Sequence, residues 1–147
     1  MPAGYGTPQD GSGGDLLPWS WAVEQLEGAR NYWVCTTRAD GRPHAAPVWG
    51  LWLDDAVKFS TGEDSLKARN MGRDPRIVVH LESGEDTVIL EGTVDTVTAD
   101  ERFLDAYEAK YDIRPEAGST VYVLRPRVAQ TWTEKDFPRN ATRWEFD

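Results

Sequence analysis

Tyr32-Trp33-Val34-Cys35-Thr36-Thr37-Arg38-Ala39-Asp40-Gly41-Arg42-Pro43-His44-Ala45-Ala46-Pro47-Val48-Trp49-Gly50-Leu51-Trp52-Leu53 is the stretch that decides the fold, and Asp54 to Asn70 completes it. Asn31 to Thr37 is aromatic and β-branched, as a strand is, and Ala39-Asp40-Gly41-Arg42 carries hairpin-turn chemistry. His44 to Leu53 reads as the returning strand. Asp54-Asp55 turns the chain again into Ala56 to Thr61, where Val57 and Phe59 alternate with Lys58 and Ser60 as on a half-buried strand. The pattern predicts three antiparallel strands side by side. Asp64 or Ser65 then caps a short helix that fades at Met71-Gly72, because Pro75 forbids its continuation.

Working outward, Met1 to Gly14 holds five glycines and two prolines with almost no apolar content, which predicts a flexible tail outside the fold. Residues 15–147 form one domain by length. Trp19, Trp21, Ala22 and Leu26 predict a short amphipathic helix ended near Gly28. Arg76 to Leu81 resumes as a strand. Thr87 to Val97 is a longer one, interrupted at Gly92 by a bulge or bend. Phe103, Leu104, Tyr107 and Tyr111 mark one face of a helix capped by Asp100. Val121 to Leu124, Val128 to Thr133 and Thr142 to Phe146 supply the last strands. Short strands with helices at the turns predict a mainly β, six-stranded antiparallel barrel rather than a doubly wound sheet.

Composition narrows the function. A net charge of −9 and a pI near 4.7 exclude a nucleic-acid or anionic-membrane surface as the main business of the chain. No apolar run reaches the roughly 18 residues of a membrane helix, and no basic-then-apolar leader opens the sequence. Cys35 is the only cysteine, so no intramolecular disulfide forms. These features set the expectation of a cytoplasmic protein without nucleic-acid or membrane partners. Cys35 itself reads as a buried small hydrophobe. Seven tryptophans are many for 147 residues and read first as core or interface packing.

One pattern carries chemistry. Lys67 falls in the first turn of its helix, where the macrodipole disfavours a cation unless an anion arrives. The free N–H groups of that turn, with the hydroxyls of Ser60, Thr61 and Ser65, would cradle a phosphate. Taken bare, a lysine near a helix start is also simply solvated. What adds weight is the neighbouring apolar segment Ala46-Pro47-Val48-Trp49, on which a flat ring can lie. Pro47 lacks a ladder donor and so marks an edge or an irregularity. From Arg38 to Arg76 there are seven basic and six acidic residues, against nine and nineteen elsewhere, so an anion meets its least hostile surface here. His44 and His80 have no ligand partners at metal spacing, and no nucleophile elbow, phosphate loop or dinucleotide fingerprint is present.

With these residues in view, the chain resembles the pyridoxamine 5'-phosphate oxidase-like family of flavin-binding split β-barrels, and within it the branch that uses the deazaflavin coenzyme F420. The resemblance rests on Trp33-Val34-Cys35-Thr36-Thr37, Asp40-Gly41-Arg42-Pro43-His44, Pro47-Val48-Trp49-Gly50, Phe59-Ser60-Thr61-Gly62, Ser65 to Asn70, Asp74-Pro75-Arg76, Leu90-Glu91-Gly92 and Ala141-Thr142-Arg143-Trp144. It implies a homodimer with two cofactor sites at the subunit interface, open to a small-molecule substrate. Ala46, Pro47, Val48 and Trp49 would run along the ring. Ser60 and Thr61 would border ring and tail, and Ser65, Lys67 and Asn70 would hold the phosphate. Gln130, Trp132 and Arg143 look like the C-terminal contacts. The basic C-terminal arrangement that holds the substrate phosphate in true pyridoxamine phosphate oxidases is missing, which points away from vitamin B6 chemistry. The expected activity is hydride transfer from reduced F420 to an unsaturated or conjugated substrate. The alternatives are an FMN-dependent oxidase or flavin reductase, a non-catalytic cofactor or tetrapyrrole carrier, and a plain dimerisation barrel.

Overall fold

The computed structural model describes residues 16–147, so the tail expected over residues 1–14 lies outside the described residues. The elements run α1 (Trp19–Gly28), β1 (Tyr32–Thr37), β2 (Pro43–Val48), β3 (Gly50–Leu53), β4 (Ala56–Phe59), α2 (Leu66–Arg73), β5 (Arg76–His80), β6 (Asp86–Thr98), α3 (Glu101–Tyr111), β7 (Thr120–Leu124), β8 (Val128–Thr133) and β9 (Thr142–Glu145). Gly41 takes φ +89°, which glycine alone adopts without strain, and the Arg38 N–H donates to the Arg42 carbonyl to close the first hairpin.

The predicted strand from His44 to Leu53 is in fact two. β2 pairs with β1 over Tyr32↔Val48 to Thr37↔Pro43, whereas β3 pairs with β4 over Gly50↔Phe59 to Leu53↔Ala56. The strands do not lie three abreast, because the chain breaks direction at Trp49 and the two halves join opposite ends of the ladder β2-β1-β5-β6-β7-β4-β3. Since β2 and β3 are joined through that single residue, the ladder closes on itself as a ring of six, counting β2–β3 as one bent strand. β8 and β9 are added beside β6.

β6 makes the ring possible by changing partners along one edge. Its first half pairs with β8 and its second half with β7, while β5 runs along the other edge. The change falls at Gly92, as the sequence predicted for a bend. A Cβ there would sit 2.9 Å from Leu124 Cδ1 and 3.0 Å from the Arg125 carbonyl, so a side chain would force apart the chain leaving β7.

The interior is filled by Tyr32, Val34, Phe59, Val57, Val79, Leu90 and Leu124, all essentially without solvent contact. α1 packs at the Tyr32 end of β1, where the Tyr32 hydroxyl donates to the Leu26 carbonyl at 2.6 Å. Trp19 meets Trp52, Trp144 and Phe146 there. α2 packs at the other end, where Asn70 Nδ2 donates to Thr36 Oγ1 at 3.0 Å. α3 is capped by the Asp100 carboxylate, which accepts from the Phe103 N–H, and it buries Phe103 and Leu104 against Leu51, Ala56, Val121 and Val123 on the outer face of the ring.

Candidate functional site

The split follows from the two registers. β3 leaves β4 at Gly50↔Phe59, so Trp49 stands beside Ser60 just beyond the ladder, and β2 turns away toward β1. The predicted strand to Thr61 therefore stops at Phe59, and Ser60 to Ser65 leads into α2 instead. Ala46, Pro47 and Val48 lie on β2, Trp49 in the break that follows it, Ser60 and Thr61 just after β4, and Ser65 and Lys67 at the start of α2. Pro47 costs no ladder bond, because β2 is the edge of its hairpin.

Ser65 is the α2 cap: its Oγ accepts from the Ala68 N–H at 3.2 Å and stands 3.4 Å from Thr61 Oγ1. The N–H groups of Leu66 and Lys67 have no helical acceptor. Lys67 is half-buried and has no ion-pair partner among the described residues. Ser60 donates to the Thr120 carbonyl at 2.8 Å and keeps its lone pairs for another donor. Asn70 is 1% exposed, and its amide is committed at both ends, to Thr36 and to Arg73 Nη2 at 3.1 Å. Arg73 in turn donates to the Thr37 carbonyl at 2.6 Å, so Asn70 ties α2 to β1. An anion arriving at this helix start would meet one lysine, free amides and two hydroxyls.

Gln130, Trp132 and Arg143 lie elsewhere. Reading across the ladder, Pro47, Trp33, His80, Ile89, Gln130 and Arg143 occupy one row, so Gln130 is four strands from Pro47, about 19 Å along the sheet. The row belongs to the outer face of the wall β2-β1-β5-β6-β8. That face carries half-buried Trp33, Cys35, Val78, Ile89 and Trp132 where a solvated antiparallel sheet is normally polar. Cys35 was expected in the core but takes the outward position of the β1 alternation, and partial burial still raises its thiol pKa. A cavity of about 480 Å³ opens on the same face between Cys35, Val78, Arg76, Glu91 and Arg127. Sequence reasoning missed this face because each of its strands looks ordinary alone.

It also missed the α3 contacts to the strand break. Lys110 Nζ donates to the Gly50 carbonyl at 2.9 Å and to the Tyr32 hydroxyl at 3.1 Å. Burial, with the Arg30 charge nearby, lowers the Lys110 pKa to about 8, while burial raises that of Tyr32. Between pH 8 and the ordinary lysine value of 10.5 the unfolded chain binds the extra proton, so stability rises with pH in that window. Above pH 10.0 the unfolded tyrosines ionise while buried Tyr32 does not, and stability falls. Urea midpoints measured across this range should rise and then drop, and Lys110→Met should remove the rise alone.

A six-stranded antiparallel ring closed through one bent strand, with short helices at its turns, defines the class of split β-barrels. A family model for pyridoxamine 5'-phosphate oxidase matches residues 22–133, and the chain belongs to that family. No curated protein matches it by sequence. Among solved structures, a conserved hypothetical protein from Mycobacterium tuberculosis superposes with TM-score 0.70 at 21% identity, over 80% of this chain and 86% of that one. An F420 reductase gives 0.60 at 20%, over 72% and 93%. A pyridoxamine 5'-phosphate oxidase-related, FMN-binding protein from Nostoc punctiforme gives 0.60 at 18%, over 91% of each chain. Likeness at these identities establishes the fold.

Proposed function

We propose that this chain is an oxidoreductase subunit that binds coenzyme F420, or alternatively FMN, in the split, and that it serves hydride transfer to an unsaturated or conjugated organic substrate. The observation that supports the reading is the Gly50↔Phe59 pair, beyond which the chain runs back through Trp49 into the apolar Ala46 to Val48 segment and forward through Ser60 and Thr61 to the Ser65-capped start of α2. An anionic tail suits Lys67, which has no carboxylate partner among the described residues. Asn70 acts here by fixing α2 on β1 rather than by touching the tail. The redox chemistry is the cofactor's when bound, while the chain supplies position, charge and a dry wall.

The site is completed by a second copy. Gln130, Trp132 and Arg143 share a face with Pro47 yet stand strands away from it, and the half-apolar face between them needs a cover. A homodimer packed on that face would bring one chain's β8 and β9 to the other's split. The structural neighbours include both an F420 reductase and an FMN-binding protein, which favours a flavin-type ligand and leaves both cofactors in play.

The test is anaerobic oxidation of reduced F420, and separately of reduced FMN, by purified protein with a broad panel of electron acceptors. Protein-dependent oxidation of one of them is expected. Tight binding without turnover makes the protein a carrier, and neither binding nor turnover overturns the reading.

A further inference from the structure

Trp49, where β2 passes into β3, is held from outside the ring. Its indole stacks on Tyr111 at the end of α3, with ring centroids 4.6 Å apart and planes within 2°. The Arg30 guanidinium lies 4.9 Å from the Trp49 centroid and 5.7 Å from that of Tyr111. These three separations form an acute triangle, so Arg30 lies beside the stack and not opposite Tyr111 across the indole.

The backbone beside Trp49 is held by the same helix. The Gly50 N–H donates to the Tyr111 hydroxyl at 2.9 Å, and the Tyr111 hydroxyl lies 2.7 Å from the Arg30 carbonyl. The Gly50 carbonyl accepts from Lys110 Nζ at 2.9 Å. Both peptide groups of Gly50 thus meet side chains of α3. Gly50 leaves no room for a side chain of its own, since a Cβ would stand 2.8 Å from the Lys58 carbonyl. Such full satisfaction of an irregular, buried backbone position fixes one conformation.

We infer that Lys110 and Tyr111, with Arg30 beside them, are positioning residues that hold the Trp49–Gly50 break in the geometry that sets the width of the split and the placement of Trp49 toward a flat conjugated ligand. The inference rests on the proposed cofactor site. It adds that ligand affinity is controlled from α3, an element that lines none of the assigned contacts. Lys110 is also over the Tyr32 and Tyr111 rings, 4.8 and 5.2 Å from their centroids, so the groups facing it are Tyr32, Tyr111 and Arg30. Loss of its proton would free the Gly50 carbonyl of a charge-assisted bond.

The experiment compares the native protein with Tyr111→Phe, Lys110→Met and the control Tyr107→Phe, which lies one turn earlier and touches only the Phe103 and Tyr111 rings among the aromatics. Two readouts are taken: affinity for F420 and FMN between pH 7 and 9.5, and amide hydrogen exchange of the peptide spanning residues 47–51. Tyr111→Phe keeps the stack and loses the hydroxyl. The expected result is exchange at least threefold faster at Gly50 and affinity about five- to tenfold weaker in Tyr111→Phe and Lys110→Met. Native affinity should also weaken as pH passes 8, with Lys110→Met losing that dependence. Tyr107→Phe should match the native protein. Unchanged affinity in both variants, or equal loss in Tyr107→Phe, overturns the inference while leaving the cofactor site in place. Absence of binding to the native protein overturns the site, and this inference with it.

Discussion

Lys67→Ala weakens cofactor binding by about 10- to 150-fold, the 1.5–3 kcal/mol range of a charge-assisted hydrogen bond. The argument is geometric. Lys67 sits in the first turn of α2, after the Ser65 cap, with no ion-pair partner among the described residues. Its own macrodipole opposes its charge, so the anion that resolves this conflict gains from the lysine and from the helix at once. Arg69 is the control, because two residues along a helix rotate it by roughly 200° and it is exposed. Arg69→Ala should leave affinity within about twofold. Isothermal titration of the three proteins decides the matter, and unchanged affinity in Lys67→Ala would move the tail away from α2.

Val78→Arg has the larger structural consequence. Val78 is the middle residue of β5, facing outward between Cys35 and Glu91, at the centre of the half-apolar wall. An arginine there places a charge, and its symmetry mate, inside the proposed dimer contact, which is strongly unfavourable without new partners. Light scattering should report twice the chain mass for the native protein and a single chain for the variant. Because Gln130, Trp132 and Arg143 would then lose their place against the other copy's split, cofactor affinity should fall by at least tenfold. The fold should persist, since Val78 does not point into the core. A variant that stays dimeric, or a monomeric variant that binds as well as the native protein, contradicts the composite site.

Much of the architecture is legible in the chain because local chemistry and global fold agree. The Asp40-Gly41 turn, the Ser65 and Asp100 caps and the stop before Pro75 each state their own structure. Gly92 announces the point where β6 changes partners, although not which partners. The break at Trp49 is harder to see, since Val48-Trp49-Gly50-Leu51 reads as one uninterrupted apolar strand. Only the competition between β1 and β4 for its two halves divides it. The start of α2 at Ser65 is readable for the same reason as the other caps: it is local.

Gln130, Trp132 and Arg143 entered only through family resemblance, and their place on β8 and β9, strands away from Pro47, is set by sheet order, which no short motif encodes. Asn70 illustrates the converse. The family resemblance implied a phosphate contact for it, and its buried amide bonds Thr36 and Arg73. Tyr111 reads as a helix-face residue and Lys110 carries no signal of its own, and nothing near them in sequence hints at Gly50, some sixty positions earlier.

The most direct measurement is titration of the purified protein with F420 and with FMN, followed by tryptophan fluorescence, since a conjugated ring beside Trp49 quenches it. Micromolar, saturable quenching by one of the two, strongest for F420, is the predicted result. Absence of saturable quenching or binding by either would contradict the assignment of the split as a flavin-type cofactor site.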